Sequence, residues 1–495
     1  MNILLSWARK QSDPDVGILI NRLEKEGHHI VYFVGSPIDK RSTPAGAVFH
    51  SYADAENGYS ALGIDPTSFE PLSEGLVQKL YRTESIMLTM MNRFFDRACV
   101  DERRRMYYEM VRYWNGILQT FKPSAVIFPN MPHFGYDYLI YELAQLAGIR
   151  TIFFDDTRFP GRLLPATNFD RLTERLQKAL ERNTGQRYSL EDIAPDIRHY
   201  YEPRSRRDFN SVPSYIADQK ERHSFWKIRL SWKHIWRSMR DFSVFRKVPR
   251  YLRFLVREET IPFIKKLGTH VSYPFLPDLL KEYAALQKNP DFSKSFVYFP
   301  LQKQPERTTS PQGGVFVDQL LALEIVSASL PQGVVIYVKE HPLQWLHFGV
   351  RYSSSRYRGF YKRIARIPRV VLIPLSTNSF RLMNEAIMVS AVTGSAGFEA
   401  VLRGKPAIIF GKVWYEDCPG IFKAANKEEF RRAFETIART PIVDQKNMIQ
   451  YLKAFESATI RAFIAPTAGK ASTVNKDECM NTISDAVLAE LNPAD

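Results

Sequence analysis

The sequence predicts an α/β protein with two Rossmann-like, doubly wound domains that face each other across a cleft, with a helical insertion between them. Short apolar strands alternate with amphipathic helices at both ends of the chain. The alternation breaks down between residues 166 and 290, and 495 residues are too many for one ordinary core. We therefore expect an N-terminal domain, an insertion, a C-terminal domain and a C-terminal helix at residues 1–165, 166–290, 291–462 and 463–495.

The N-terminal half begins with a strand–helix–strand unit. Residues 3–5 form a short apolar run, and residues 16–26 carry apolar side chains at helical spacing before Gly27, a residue type favoured after helix ends. Residues 30–34 are β-branched and aromatic, which predicts the next strand. This order is typical of a parallel sheet.

A second unit of the same kind follows, with strands at residues 125–128 and 151–154 and a helix at 136–147. The carboxyl ends of parallel strands border the ligand crevice in such sheets. We therefore expect the polar residues just after these strands to lie at the crevice. They are Asn130, His133, Asp155 and Asp156.

The C-terminal half repeats the alternation from residue 295 onward. It predicts strands at 296–299, 334–338, 369–373, 389–392 and 407–410, and helices at 316–329, 380–386 and 397–402. A further helix should begin after Asn426, which is a good N-cap followed by acidic residues. The last helix should lie near residues 482–491.

The composition is that of a folded protein, with 45% hydrophobic and 24% charged residues. The first residues contain too short an apolar run for a secretory signal, and no stretch approaches the ~18 apolar residues of a membrane-spanning helix. Cys99, Cys418 and Cys479 lie far apart and form no disulfide or metal pattern. These features predict a cytoplasmic protein with no cofactor and no metal.

Most of the formal net charge of +15 lies in the expected insertion, where residues 222–266 contain thirteen Lys and Arg but three acids. A core-facing helix would explain the interspersed Trp and Phe but not the cations. Nucleic-acid binding would need a recognisable module, and the sequence contains none. An interfacial amphipathic helix on an anionic membrane surface explains both features. We favour it, which predicts a peripheral location on the inner face of the cytoplasmic membrane and no nucleic-acid partner.

A run of small residues, Thr-Gly-Ser-Ala-Gly at 393–397, connects a predicted strand to a predicted helix. The free N–H groups and the dipole of such a helix start bind phosphate. Thr393 and Ser395 can add hydroxyl donors, and Glu399, about one turn further on, can accept hydrogen bonds from ribose hydroxyls. The alternative is a tight strand–helix junction with a surface glutamate.

The sequence Val-Lys-Glu-His-Pro at 338–342 ends another predicted strand. Pro342 disfavours a helical conformation at His341 and keeps it extended, which directs it towards the crevice. An imidazole or ammonium group there would neutralise a phosphate or a sugar carboxylate. A simple turn is the alternative, but the small-residue turn one unit further along favours a ligand site.

Four blocks of the C-terminal half resemble bacterial capsule and surface-polysaccharide biosynthesis proteins, which are GT-B glycosyltransferases related to the capsular Kdo transferases. The blocks are FVYFPLQKQPER at 296–307, VKEHP at 338–342, TGSAGFEA at 393–400 and GKPAIIFG at 404–411. Residues 154–162, FDDTRFPGR, look like the family's acidic strand end followed by arginine, although the family more often has Glu-Asp-Gly there.

The resemblance implies that the C-terminal domain binds a nucleotide-sugar donor, such as CMP-Kdo, and that the N-terminal domain binds a glycan or glycolipid acceptor. It implies phosphate contacts from His341 and Ser395, with Thr393 beside them. It further implies a ribose contact from Glu399, with Lys339 nearby.

The resemblance also implies polar catalytic groups in the loop after the first strand of the donor domain. Gln302 and Glu306 occupy that loop, and Glu306 stands where the Kdo transferases have aspartate. We take Gln302 as donor-binding and Glu306, Asp155 and Asp156 as catalytic, and we expect these carboxylates to meet across the cleft. For Glu306 the alternative is a solvated acid paired with Arg307.

Two other functions remain open. A nucleotide-sugar epimerase or hydrolase could use the same scaffold, but it would not need a lipid-proximal basic segment. A non-catalytic capsule-assembly protein would not need the intact set of Lys339, His341, Ser395 and Glu399.

Overall fold

The computed structural model describes most of the chain, including nearly all of both predicted Rossmann-like domains. The described residues are 1–8, 13–93, 95, 98–210, 279–344, 356–440, 443–464 and 474–492. The basic segment at 222–266 lies outside them, so its predicted helices and membrane contact remain predictions.

The N-terminal half contains six strands and eight α-helices among its described residues. The strands are β1 (Asn2–Ser6), β2 (His29–Gly35), β3 (Val48–Ser51), β4 (Ala125–Ile127), β5 (Arg150–Asp156) and β6 (Arg162–Ala166). The helices are α1 (Val16–Lys25), α2 (Tyr52–Asn57), α3 (Glu74–Lys79), α4 (Tyr81–Met90), α5 (Val100–Phe121), α6 (Gly135–Leu146), α7 (Glu174–Arg182) and α8 (Pro195–Arg204).

The C-terminal half resumes the strand–helix alternation after residue 279. Its strands are β7 (Phe296–Pro300), β8 (Val335–Lys339), β9 (Val370–Leu372), β10 (Met388–Ala391), β11 (Ala407–Ile409), β12 (Ile421–Lys423) and β13 (Ile460–Arg461). Its helices are α9 (Leu279–Leu286), α10 (Gln319–Ser329), α11 (Phe360–Arg366), α12 (Ser379–Glu385), α13 (Ser395–Leu402), α14 (Lys427–Arg439), α15 (Gln445–Ala458) and α16 (Lys476–Leu491).

The strands form two separate sheets with the same winding. The C-terminal sheet has the order β12-β11-β10-β7-β8-β9 with every pair parallel, which is the doubly wound Rossmann order. The N-terminal sheet has the order β13-β6-β5-β4-β1-β2-β3, and its strands from β3 to β5 are parallel. The predicted GT-B pair of Rossmann-like domains is confirmed.

The antiparallel edge of the N-terminal sheet was not predicted. β6 pairs antiparallel with β5, and β13 pairs antiparallel with β6, although β13 lies in the range expected for the C-terminal domain. The chain then continues into α16, which packs on α1 and places Cys479, Ile483 and Val487 in the N-terminal core. Strand β13 and helix α16 therefore belong to the N-terminal domain.

Helix ends follow the side chains that cap them. Asn426 accepts a hydrogen bond from the Glu429 backbone at the start of α14, as the sequence predicts. The helix expected from residue 316 begins instead at Gln319, because the Asp318 carboxylate caps it by accepting from the Leu320 backbone.

Helices α7 and α8, from the start of the expected insertion, join the two domains. Leu176 and Ile197 pack in one core with Phe398 of α13 and Phe455 of α15. Phe159, just before β6, contacts the rings of both Phe398 and Phe455. The described part of this region is therefore a packed layer against the C-terminal domain.

Within the described residues, no helix is both long enough and apolar enough to cross a membrane.

Candidate functional site

The carboxyl ends of β7 and β10 meet at the point where the strand order of the C-terminal sheet reverses, which is where ligands bind in doubly wound folds. Gln302 after β7 and Thr393 after β10 hold these ends together. The Gln302 side chain accepts from the Thr393 backbone at 3.1 Å and donates to the Thr393 hydroxyl at 3.0 Å. That hydroxyl donates in turn to the Thr308 carbonyl. Both side chains are buried and serve to fix the strand ends.

Helix α13 begins directly after this junction. The Tyr415 hydroxyl donates to the Gly394 carbonyl at 2.5 Å and so anchors the residue before the helix. A Cβ atom on Gly397 would lie 3.2 Å from that hydroxyl, so glycine leaves room for the anchor. The Ser395 hydroxyl donates to the Glu399 carboxylate at 2.9 Å. The structure therefore brings together two residues that the sequence assigns to donor binding.

The strand end that carries His341 is supported by a buried ion pair. Glu340 and Arg356 have fully buried side chains, and the Arg356 Nε atom lies 2.8 Å from the carboxylate. Glu340 also accepts from the Tyr361 hydroxyl at 2.7 Å and from the His341 backbone at 2.7 Å. Arg356 donates to the Gln302 carbonyl at 3.0 Å. This network ties the loop after β8 to the loop after β7.

His341 is neutral near pH 7. Burial, only partly opposed by Glu340, lowers the pKa of its imidazole to about 4, with Lys303 and Arg158 among the cations that add to the effect. The Nδ1 atom accepts from the Leu343 backbone at 3.2 Å, so the ring proton of the neutral form lies on Nε2. The sequence suggested a group that could neutralise phosphate by charge, whereas this histidine can offer a hydrogen-bond donor.

Lys339, expected near the donor, is engaged with the loop that precedes α12. Its ammonium group donates to the Thr377 carbonyl and, at 2.8 Å, to the Ser379 hydroxyl, and only 7% of the residue is exposed. In this structure Lys339 therefore holds the loop that precedes α12.

The N-terminal side of the cleft presents Asp155 and Asp156 at the end of β5. The Asp155 side chain is completely buried, and its carboxylate lies 3.1 Å from the Arg307 guanidinium of the opposite domain. Burial raises the pKa of Asp155 to about 6, with Asp156 reinforcing and Arg307 opposing the shift. Burial likewise raises the pKa of Asp156. The pair has the buried, charge-coupled environment that is typical of acid–base residues.

His133 and Arg158 join Asp155, Asp156 and Arg307 in one group of charged and titratable residues, the cleft cluster. The His133 Nδ1 atom donates to the Met131 carbonyl at 2.7 Å, which leaves Nε2 as an acceptor. Burial lowers the pKa of His133 to about 3, helped by Arg307 and then by Arg93. Arg158 influences both Asp156 on its own domain and His341 on the other. Charges from the two domains therefore act on the same space.

Glu306 has a different environment from the aspartates. Its side chain is 43% exposed and pairs with Lys303 at 3.4 Å. The sequence offered Arg307 as its alternative partner, but Arg307 reaches across the cleft to Asp155. The ion pair that joins the two domains here is therefore between Asp155 and Arg307, the residue after Glu306, and it does not involve Glu306 itself.

Two features of the site were missed in the sequence. Arg356 lies sixteen residues after Glu340, outside any recognised block, and only the fold brings them together. Arg307 is the last residue of the block at 296–307, and the sequence suggests it only as a partner for Glu306. A buried acid at the end of β5 requires a cation from elsewhere, and that requirement could have identified it.

Among the residues that the structure describes, no group of three or more His, Cys, Asp or Glu side chains is placed to hold a metal ion.

Comparison with known proteins finds one family model that matches part of the chain. Residues 239–456 match the model of the family described as "Capsule polysaccharide biosynthesis protein", which confirms the resemblance found in the sequence. No curated protein sequence matches the chain.

The solved structures to which the chain is similar include two of Thermosulfurimonas dismutans KpsC. The β-Kdo 2,4 transferase is 13% identical with a TM-score of 0.33, covering 73% of this chain and 87% of that chain. The β-Kdo 2,7 transferase is 12% identical with a TM-score of 0.28, covering 84% and 97%. UDP-GlcNAc 2-epimerase from Methanocaldococcus jannaschii is 11% identical with a TM-score of 0.22, covering 88% and 92%.

The raised pKa of Asp155 predicts a pH dependence of stability. The unfolded chain releases this proton near pH 4, whereas the native protein keeps it up to about pH 6. The free energy of unfolding should therefore fall between about pH 4 and pH 6, by roughly 3 kcal/mol from this group. Denaturant unfolding across this pH range should show a fall in the parent protein that is smaller in Asp155→Asn by about the contribution of this one group. The exposed Asp170→Asn variant is the matched control and should behave like the parent; an unchanged fall in Asp155→Asn would contradict the assignment.

Proposed function

From the match of residues 239–456 to the capsule polysaccharide biosynthesis family, we propose that this protein is a glycosyltransferase. It moves a sugar from a nucleotide-sugar donor to a lipid-linked or growing capsule or surface polysaccharide. One observation supports the proposal most: Arg307, from the loop after β7 in the C-terminal domain, reaches the buried Asp155 of the N-terminal domain, so that the proposed phosphate-binding strand ends and the proposed base border the same cleft.

The donor nucleotide binds the C-terminal side of the cleft. Backbone N–H groups at the start of α13 and the Nε2–H of His341 donate to the phosphate oxygens, and the helix dipole favours the negative charge. Because His341 is neutral, the compensating charge comes from Lys303 and Arg158, whose fields reach the same imidazole. Glu399, already oriented by Ser395, accepts hydrogen bonds from the ribose.

Asp155 is the base in this proposal. Transfer requires loss of the acceptor hydroxyl proton as the acceptor oxygen bonds to the anomeric carbon, while the bond from that carbon to the donor phosphate breaks. The ionised Asp155 carboxylate takes the proton, and its pKa of about 6 suits a base that works near neutral pH. The donor phosphate leaves with the bond electrons and stays with the cations and helix start that bound it. Asp156 and Glu306 remain candidates for a second carboxylate role.

The membrane part of the proposal rests on the sequence. Residues 222–266 carry thirteen cations among aromatic residues, which suits a reversible contact with anionic lipid on the cytoplasmic face. A lipid-linked acceptor would be presented at that surface.

Donor binding predicts losses from two single substitutions. Thermal shift with CMP, UDP, GDP and CDP should identify a nucleotide that stabilises the parent protein. His341→Ala and Glu399→Ala should each bind that nucleotide about ten- to a hundredfold more weakly, because a charge-assisted contact is worth ~1.5–3 kcal/mol. The exposed His199→Ala variant is the control. With a nucleotide lacking both ribose hydroxyls, Glu399→Ala should bind as well as the parent.

Full affinity in both variants would remove the donor assignment. Product analysis distinguishes a glycosyltransferase from an epimerase or hydrolase, because an epimerase or hydrolase would convert the nucleotide sugar without any saccharide acceptor.

Membrane attachment predicts a salt-sensitive interaction with anionic vesicles. Each cation at an acidic surface contributes about 1 kcal/mol, screened within a Debye length of ~8 Å at physiological salt. The protein should co-sediment with phosphatidylserine-containing liposomes at low salt and dissociate as salt rises. A folded variant with Glu at Lys227, Arg229, Lys233 and Arg237 should stay in the supernatant. If the parent protein ignores anionic liposomes at low salt, the membrane proposal is wrong.

A further inference from the structure

A second cavity lies between the two domains. Its volume is about 770 Å³, within the range of small-molecule sites. The N-terminal wall comes from α4, α6 and residues 168–170, and the C-terminal wall from residues 311–317 and 410–412. Among its described lining residues, none is a donor-binding residue predicted from the sequence. None of the residues assigned to the proposed sugar transfer lines this cavity.

Aromatic rings provide much of the cavity wall. Tyr141 and Phe169 lie on the N-terminal side with ring centroids 4.8 Å apart, and Phe316 and Phe410 lie on the C-terminal side at 4.9 Å. Phe169 and Phe410 are only partly buried, so their rings are open to the cavity. Flat apolar faces of this kind pack against the C–H faces of a pyranose ring.

The formal charges of the side chains that line the cavity sum to zero. Arg82 and Lys412 provide two positive charges, and Glu142 and Asp170 provide two negative charges. Lys412 crosses between the domains, since its ammonium group donates to the Asp170 carbonyl at 3.2 Å. A phosphate or polyanionic ligand would gain little from such a wall. A polyhydroxylated neutral ligand suits it, because hydroxyl groups both donate and accept hydrogen bonds.

One loop connects this cavity to the cleft cluster. Arg307 at the start of the loop contacts Asp155. Ser310 then meets the Thr89 hydroxyl of α4 at 3.0 Å, and the following residues from Pro311 to Val317 line the cavity. A ligand in the cavity would therefore lie next to the contact between Ser310 and Thr89, and the Asp155–Arg307 pair would lie on the other side of that contact.

We propose that this cavity binds an uncharged saccharide segment of the acceptor, held between the aromatic walls of the two domains. That the saccharide is an acceptor rests on the proposed function, whereas the saccharide site itself is inferred from the cavity and its lining residues. It also places the acceptor chain on the same loop that positions Arg307, so that the acceptor approaches the base from this side.

Saturation-transfer NMR on the full chain tests the saccharide site, with maltotriose, chitotriose and trigalacturonic acid as probes. At least one of the two uncharged trisaccharides should receive saturation, and trigalacturonic acid should not. Ser85→Trp on α4 and Val315→Trp on the facing loop should each abolish the effect, because both positions are exposed and line the cavity. Ser457→Trp, at an exposed position of α15, is the matched control and should bind like the parent.

The inference is overturned if neither uncharged trisaccharide binds, if binding survives in both cavity variants, or if trigalacturonic acid binds as well as the others. The nucleotide thermal shift should be the same in the parent and in both cavity variants. Saccharide binding without any nucleotide binding would reject the transferase and keep the cavity, whereas the reverse result would reject the cavity alone.

Discussion

The contact between Asp155 and Arg307 is the constraint on which the cleft depends. A completely buried carboxylate is costly unless a cation accompanies it, and here the cation belongs to the other domain. The contact is an ion pair rather than an aligned hydrogen bond, since neither Asp155 oxygen has a hydrogen-bond partner of good geometry. Asp155 is therefore paired enough to ionise near neutral pH yet retains unused lone pairs, which is the state that a proton acceptor requires.

The surroundings of the ion pair fix the loop that carries Arg307. Ser310 is held against α4 by Thr89, and Gln302 at the start of the loop is held by Thr393, by Gln319 and by Arg356. Arg356 is itself fixed by Glu340, whose carboxylate also accepts from the His341 backbone. The position of His341, the predicted phosphate contact, and the position of Arg307, the partner of the proposed base Asp155, thus depend on one connected network. Preorganisation of this kind reduces the rearrangement needed when charge develops.

Local patterns predicted the central strands of both sheets well because those strands are largely buried, as β4, β10 and β11 are throughout. The prediction failed where the determining contact is distant in sequence. The strand Ile460–Arg461 is only two residues long and exists because β6 offers it an edge. Arg356 owes its role to Glu340, which the sequence showed only as the middle of a motif. The motifs named His341, Ser395 and Glu399 by residue type, but the neutral state of His341 follows from burial that no spacing reveals.

A crystal structure of the protein with the stabilising nucleotide tests the central claim most directly. The account predicts a phosphate within hydrogen-bond distance of the α13 backbone amides and of His341 Nε2, with the ribose at Glu399. It also predicts that the end of the nucleotide which carries the sugar points towards Asp155. A nucleotide bound in the second cavity, or anywhere on the N-terminal domain away from His341, would contradict it.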